Sequence, residues 1–346
     1  MVDRSDDMVG MKANDPSGVM DQLMAFPDQL EWAKGLHVPS IEGVKNVALC
    51  GIGGSAIAGD VIVDLISSEC IVPVFTVRNI ALPEFAGPST LALVVSYSGN
   101  TAESLNLYED AMRRGCQIIV LTSGGELERL AIKGSQVLIK MPANNQPRAS
   151  MGFMLGAISL VLVRAGISRS FDELMAAVPG LREYQRTIGP DVPSSKNQAK
   201  KIAKALQGEV SAIYSPRNIR CVAVRWQNQL NENSKMVAFS GEIPEMDHNQ
   251  LVGWMEGGKG CHCVPVFLLP SDMHPTVRKM TEVTLQMFNE RGLGPVMVTL
   301  PGKSMMENVL QGIALGDMVS YYLAVLKGVD PAPVVVINEF KKRISH

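Results

Sequence analysis

The chain has 346 residues, 46% of them hydrophobic and 19% charged, with a formal net charge of −2. This composition suits a globular protein with room for two domains, and the near-neutral balance offers no basic surface for nucleic acid. The start, with Asp3, Arg4, Asp6 and Asp7, holds no apolar signal-peptide core. No apolar run of roughly 18 residues stands out as a membrane span. Six scattered cysteines, mostly in apolar runs, suit free thiols in a reducing cytoplasm.

Residues 1–12 read as polar and mobile. Asp15-Pro16-Ser17 then reads as a helix start with proline in its first turn. Leu23, Met24, Leu30 and Trp32 give one or two helices an apolar side to pack on the first domain. From about residue 45 to 165 short apolar strands alternate with helices. The strands are Val47–Cys50, Val72–Val77, Leu91–Ser96, Gln117–Thr122 and Val137–Met141, and helical patterns such as Glu103–Arg114 follow several of them. A long apolar helix, Met151–Ala165, closes the series. Continuous apolar strands between helices predict a parallel sheet covered on both faces.

Residues 181–197, with Gly189, Pro190 and Pro193, read as a linker. The alternation then restarts: strand Val210–Tyr214, helix Ile219–Asn231, strand Val264–Leu269, helix Val277–Arg291, strand Val296–Leu300 and helix Met305–Leu326. A tail opens at Asp330-Pro331-Ala332-Pro333 and ends in a helix with Ile337, Phe340 and Ile344 on one side. The expected organisation is α/β: a helical segment at 1–44, a first α/β domain at 45–180, a second at 195–328, and a tail helix at 329–346.

Two stretches of the first domain suit an anion. Gly51-Ile52-Gly53-Gly54-Ser55 stands between a strand and a helix, where glycines let backbone N–H groups approach a ligand and the helix N-terminus adds partial positive charge. It lacks the Gly-Lys-Ser/Thr ending of a nucleotide P-loop and makes a poor dinucleotide fingerprint. Ser96-Tyr97-Ser98-Gly99-Asn100-Thr101 also follows a strand and opens a helix. Its hydroxyls can bind phosphate oxygens at the ligand-binding edge of an open sheet, or serve as ordinary N-caps. The second domain has Ser215-Pro216-Arg217 in the equivalent place, so only the first looks built for phosphate.

Several charged residues are open to two readings. Arg148, in Pro147-Arg148-Ala149-Ser150, can neutralise an oxyanion or sit solvated in a loop. Glu232 can act as a base on a proton alpha to a carbonyl, or be a solvated helix-end carboxylate. His248 can shuttle protons near neutral pH. Cys261-His262-Cys263 lacks the second cluster a zinc site needs and suits a strand entrance. Lys341, beside Lys342 and Arg343, can simply complement a helix dipole.

Together, Gly53-Gly54-Ser55, Ser96–Thr101, Pro147-Arg148, Asn231-Glu232-Asn233-x-Lys235 and His248-Asn249 resemble the bifunctional phosphoglucose/phosphomannose isomerases of the sugar isomerase (SIS) fold. The similarity runs from about Asp15 to the C-terminus. The resemblance implies two SIS-type three-layer αβα domains with parallel sheets. It implies that Ser55, Ser96, Ser98 and Thr101 bind the substrate phosphate and that Gly54 lets the sugar approach the backbone. Arg148 would then stabilise an enediolate, Glu232 would be the base, and Lys341 would help open the sugar ring. His248 would assist ring opening from the partner subunit of a homodimer. The family pattern near the tail often reads Pro-Thr-Pro, where this chain has Pro331-Ala332-Pro333.

The expected reaction interconverts glucose 6-phosphate and mannose 6-phosphate with fructose 6-phosphate through a cis-enediolate. Only protons move, so no cofactor and no metal are expected, and the expected setting is cytoplasmic with no membrane or nucleic-acid partner. Two alternatives remain open at this level: a non-catalytic sugar-phosphate-binding protein, and an SIS isomerase for another sugar phosphate.

Overall fold

The computed structural model describes residues 4–344. Three short helices come first, α1 (Met8–Asn14), α2 (Val19–Met24) and α3 (Phe26–Trp32). The first alternating series is β1 (Asn46–Cys50), α4 (Gly54–Ile66), β2 (Val74–Val77), β3 (Thr90–Val95), α5 (Ala102–Arg113), β4 (Gln117–Thr122), α6 (Gly125–Lys133) and β5 (Val137–Lys140), followed by α7 (Met151–Arg164) and α8 (Ser170–Thr187). After α9 (Gln198–Leu206) come β6 (Val210–Pro216), α10 (Arg220–Glu232), β7 (Ala238–Ile243), α11 (Gln250–Gly257), β8 (Cys263–Pro270), α12 (Pro275–Glu290), β9 (Val296–Leu300), α13 (Met305–Lys327) and α14 (Val335–Ile344).

The chain divides into two compact units. One comprises Ala25–Arg182 with Ser304–Val309; the other comprises the chain up to Met24, Glu183–Lys303 and the chain from Leu310 on. The helices expected to pack on the first domain are therefore split: α3 lies against α7 in the first unit, and α1 and α2 belong to the second.

The first sheet has the parallel order β2-β1-β3-β4-β5. Side chains of successive strand residues point to opposite faces. Ala48, Cys50, Ala92, Val94, Ile118 and Val120 form a core with Leu107, Tyr108 and Ala111 of α5 and with Leu127 and Ala131 of α6. On the other face α4 packs on β1 and β2 and against α7. Trp32 of α3 then meets Phe153 of α7 edge-on at 5.2 Å.

The second sheet is also all parallel, in the order β7-β6-β8-β9. Ala212, Tyr214, Ile243, Phe267 and Phe288 make its core on one side, with partly buried residues of α11 and α12. On the other side α10 and α13 pack together. Trp226 donates to the Gly312 carbonyl at 2.7 Å, and buried Arg225 grips Asp317 with two bonds of 2.9 Å. Sheets with helices on both faces are the αβα layering expected from the alternation.

Four expectations are corrected. The presumed linker 181–197 is helical to Thr187, because Leu181, Tyr184 and Gln185 are buried and packing outweighs turn formers that begin only at Gly189. Residues 8–14 are helical rather than mobile, and Asp6 just before them ion-pairs with buried Lys200 at 3.0 Å. Asp15 does not lead a proline into a helix. Its carboxylate caps α2, accepting from Val19 N–H at 2.8 Å and Met20 N–H at 2.9 Å, with Pro16 in the turn ahead. Finally, one helix among the described residues, Met305–Lys327, is long and apolar enough to span a membrane by length and composition, and its most apolar window is 94% buried.

Candidate active site

In the first sheet the chain leaves β1 in one direction and β3 in the other, so the gap beyond their C-terminal ends is the topological switch point where open α/β sheets bind ligands. Both expected phosphate stretches lie there. Gly53 takes φ +57 and occupies the N-cap of α4, where it offers no side-chain cap. Thr101 occupies the N-cap of α5, yet its hydroxyl makes no capping bond. A helix N-terminus without a side-chain cap presents partial positive charge to an anion, and both helices are long enough to carry a dipole, although in α4 Ser55 N–H and Ala56 N–H already bond Ile52 O at 3.2 Å and Gly53 O at 3.1 Å.

The Thr101 hydroxyl is turned elsewhere: it lies 2.9 Å from the buried Ser96 hydroxyl and donates to Ser104 at 2.9 Å. Ser98 is exposed beside them, and Ser55 is half-buried in the first turn of α4. The ordinary-cap reading of Thr101 is thus not the one realised.

A third loop, Ser123-Gly124-Gly125 after β4, holds the second one in shape. Ser123 donates to the Tyr97 carbonyl through its hydroxyl at 2.6 Å and its N–H at 3.0 Å. Leu127 N–H reaches the Gly99 carbonyl at 2.9 Å, and Glu126 N–H reaches the Asn100 side chain at 2.9 Å. The loops are so close that a Cβ on Gly99, at φ +68, would lie 1.8 Å from the Gly124 carbonyl oxygen. Sequence reading passed over this loop, although a glycine pair directly after an apolar strand is the signal that marked the first one.

Arg148 lies in a 3₁₀ turn ahead of α7 and is 5% exposed, so it is not a solvated loop arginine. Its turn is fixed on both sides. Gln29 of α3 donates to Ala149 O at 2.7 Å and accepts from Gly152 N–H at 3.1 Å. Upstream, the Tyr97 hydroxyl donates to Pro142 O at 2.8 Å and accepts from Asn145 N–H at 3.2 Å. A Cβ on Gly54 would meet the Arg148 Cα at 3.4 Å, so the bare glycine keeps the start of α4 against the arginine turn. The structure therefore brings Gly54 and Arg148 together, and Ser96 and Thr101 together.

Glu232, His248 and Lys341 belong to the second unit. Glu232 is the last residue of α10 and is half-buried. The next turn is tightly held: Asn233, fully buried, donates to the Ser320 hydroxyl at 2.9 Å, and Ser234 donates to Leu230 O at 2.7 Å. Asn231 donates to Ala238 O at 3.1 Å, which puts Glu232 at the edge where β7 begins. His248 lies beyond the other end of β7, exposed, in the 3₁₀ turn Glu245–His248. Six strand residues separate the two edges, on the order of 20 Å, so Glu232 and His248 of one chain stand at opposite ends of the second sheet.

Next to His248, burial pushes the Asp247 carboxyl pKa up, against a 2.8 Å bond from the Thr284 hydroxyl. Lys341 is exposed on α14. Cys261 is exposed ahead of β8, and His262 stands 3.6 Å from Glu209. Among the described residues no group of three or more histidines, cysteines or carboxylates is placed to hold a metal.

A doubly wound sheet with a hydroxyl-lined switch point, and a second parallel sheet in the other unit, define an α/β protein with a candidate anion-binding edge. Residues 195–344 match the family model described as the bacterial phospho-glucose isomerase C-terminal SIS domain. The chain is 32% identical to the bifunctional phosphoglucose/phosphomannose isomerase of Aquifex aeolicus, over 92% of this chain and 96% of that one. It is also 32% identical to the protein of the same name from Caldicellulosiruptor bescii, over 94% and 99%. A hypothetical protein from Thermus thermophilus shares the fold, with TM-score 0.77 at 18% identity, over 99% of this chain and 93% of that one. The chain belongs to the bifunctional phosphoglucose/phosphomannose isomerase family.

Proposed function

We propose that the protein interconverts glucose 6-phosphate and mannose 6-phosphate with fructose 6-phosphate. The observation that carries this reading is the switch point of the first sheet, where two uncapped helix N-termini flank a cluster of hydroxyls. Ser55, Ser96, Ser98 and Thr101 hold the phosphate, and Gly54 lets the sugar approach the backbone. Anchoring the end that does not react turns binding energy into orientation of C1 and C2.

Glu232 removes the C2 proton of the open-chain aldose and returns it to C1, an exchange that needs no redox cofactor because only protons move. The fixed charge of Arg148 stabilises the cis-enediolate. Lys341 helps open the ring. The enediolate has lost its C2 configuration, so a pocket with space around C2 and C3 takes mannose 6-phosphate as well as glucose 6-phosphate.

In this reading the working form is a homodimer and His248 serves the partner's site. The separation of Glu232 and His248 by the height of the second sheet supports that arrangement, since one small sugar does not reach both within a chain. The tail helix also exposes Val335, Val336, Ile337 and Phe340, an apolar surface suited to a second copy. The six free cysteines suit a reducing cytoplasm. A coupled assay with glucose 6-phosphate and mannose 6-phosphate, each converted to fructose 6-phosphate, tests the proposal. Binding of either sugar phosphate without conversion would select a sensor instead.

A further inference from the structure

The turn after Glu232 contains an unusual choice of residue. Lys235 takes φ +53, the left-handed conformation that closes a helix and that glycine adopts most easily. Met236 N–H returns to Leu230 O at 3.2 Å, as a helix-closing turn requires. The side chain stationed there reaches four backbone carbonyls. Its Nζ donates to the carbonyl oxygens of Glu232 at 2.8 Å, Asn233 at 3.3 Å, Asp330 at 3.0 Å and Pro331 at 3.2 Å. Three ammonium protons serve four acceptors, so at least one is shared. The backbone of the same residue is held in turn: Lys327, at the end of α13, donates to Lys235 O at 2.9 Å.

These four oxygens come from two places that matter separately. Two belong to the end of α10, which carries Glu232. Two belong to the root of the tail, from which α14 carries Lys341. We infer that Lys235 is a positioning residue that staples the Glu232 turn to the root of the Lys341 tail and so sets the base against the ring-opening group. A non-glycine residue held in a left-handed turn points to a side chain with a task. An ammonium bridging carbonyls from both segments is such a task, and it draws on the partial negative charge at a helix C-terminus. The inference rests on the roles proposed above for Glu232 and Lys341.

The test separates the side chain from the backbone. Lys235→Gly relieves the left-handed strain while deleting the ammonium, so the two effects on melting temperature oppose each other and the fold should stay intact. Its kcat for glucose 6-phosphate should nevertheless fall, roughly 10- to 100-fold as expected for a misplaced catalytic group. KM should stay within about threefold, because the phosphate cradle is untouched. Lys235 is exposed, so added butylammonium can reach the carbonyls and should restore several-fold of the lost kcat. Lys235→Arg, which keeps a cation, should retain more activity than Lys235→Met.

Wild-type kcat in Lys235→Gly, or a loss that butylammonium does not relieve, would overturn the staple. Glu232→Gln in the same assay keeps the two questions apart. If it turns over normally, the base assignment fails whatever Lys235 does. If it is slow while Lys235→Gly is fast, the assignment stands and the staple fails.

Discussion

The two units carry the same kind of sheet and use it differently. In the first, the turns after β1 and β3 are short, rich in glycine and serine, and end in helices whose N-termini have no side-chain cap. In the second, α10 also opens without a side-chain cap, but β6 ends on Pro216 and the turn after it carries Arg217 in place of glycines and hydroxyls. Ser215 donates to Ile219 O at 3.4 Å, and Arg217 pairs with Glu242 at 2.7 Å. In the function proposed above, the second unit contributes Glu232 at the other edge, on the far end of α10. Fold alone does not place a site. The residues in the turns decide whether a switch point stays open to an anion, and the edge without such a turn is free to carry a base.

The proposed function puts binding in one unit and proton transfer in the other, and the largest effect should test that division. Glu232→Gln should lower kcat by about 10²–10⁴-fold with KM nearly unchanged, whereas Ser96→Ala should act mainly on KM. Steady-state kinetics on both variants would break the division if the two profiles were alike. Mixing inactive Glu232→Gln and His248→Ala chains should return part of the activity on subunit exchange, if the site is shared as proposed.

Next in size is the scaffold of the proton-transfer unit. Arg225 and Asp317 are 1% and 9% exposed along their side chains, and their paired bonds hold α10 to α13. Arg225→Met leaves a buried carboxylate without its partner and should cost about 3–5 kcal/mol, read from chemical denaturation. A double variant, Arg225→Met with Asp317→Leu, should recover much of that. If the double variant is as unstable as the single one, shape rather than charge holds α10 in place.

How far the sequence reveals this molecule depends on what each signal rests on. The first sheet is plain because its five strands are continuous apolar runs, and the expected cores of all five coincide with the observed ones. The edge strand β7 is invisible to that test, since Ala238–Ile243 contains Gly241 and Glu242 and pairs on one side only. The two turns at the switch point were legible from strand, glycine and hydroxyl in order. Ser123-Gly124-Gly125 carries part of the same signal, but its importance lies in contacts with Gly99 that no spacing reveals. Glu232 could not be told from an ordinary helix-end carboxylate by its neighbours, because what singles it out, the buried Asn233 and the carbonyl-bound Lys235, joins residues about 90 positions apart.

In the binding unit, Gly99→Ala should act on both stability and phosphate affinity. An added Cβ would collide with the Gly124 carbonyl at 1.8 Å and take a left-handed φ as well, which together should cost roughly 2–3 kcal/mol. Gly208, at φ +86 with open space around its Cβ position, supplies the control: alanine there should cost only about 1 kcal/mol. Equal losses in thermal denaturation would mean that the close approach of the two loops contributes nothing.

The smallest effect is a difference in acid sensitivity. Burial pushes the Asp110 carboxyl up, but hydrogen bonds from Arg113, Leu82 N–H and Arg114 outweigh it and hold the pKa down to about 2. Two of those bonds measure 2.9 Å from Leu82 and 3.0 Å from Arg114. The Leu82 bond ties α5 to the segment after β2, and Arg114, which also reaches Pro83 O and Glu84 O at 3.4 Å, adds to that tie and so braces the first unit. A carboxyl depressed in the folded state stabilises it fully above the unfolded pKa of about 4 and loses that contribution as pH falls towards 2. Arg113 is largely exposed and solvent screens its share, so the expected contribution is about 1–2 kcal/mol. Asp110→Asn should lower stability at pH 7 by that amount and flatten the fall between pH 4 and pH 2 relative to the wild type. A variant whose stability declines as steeply as the wild type over that window would mean that other carboxylates set the acid limit of the binding unit.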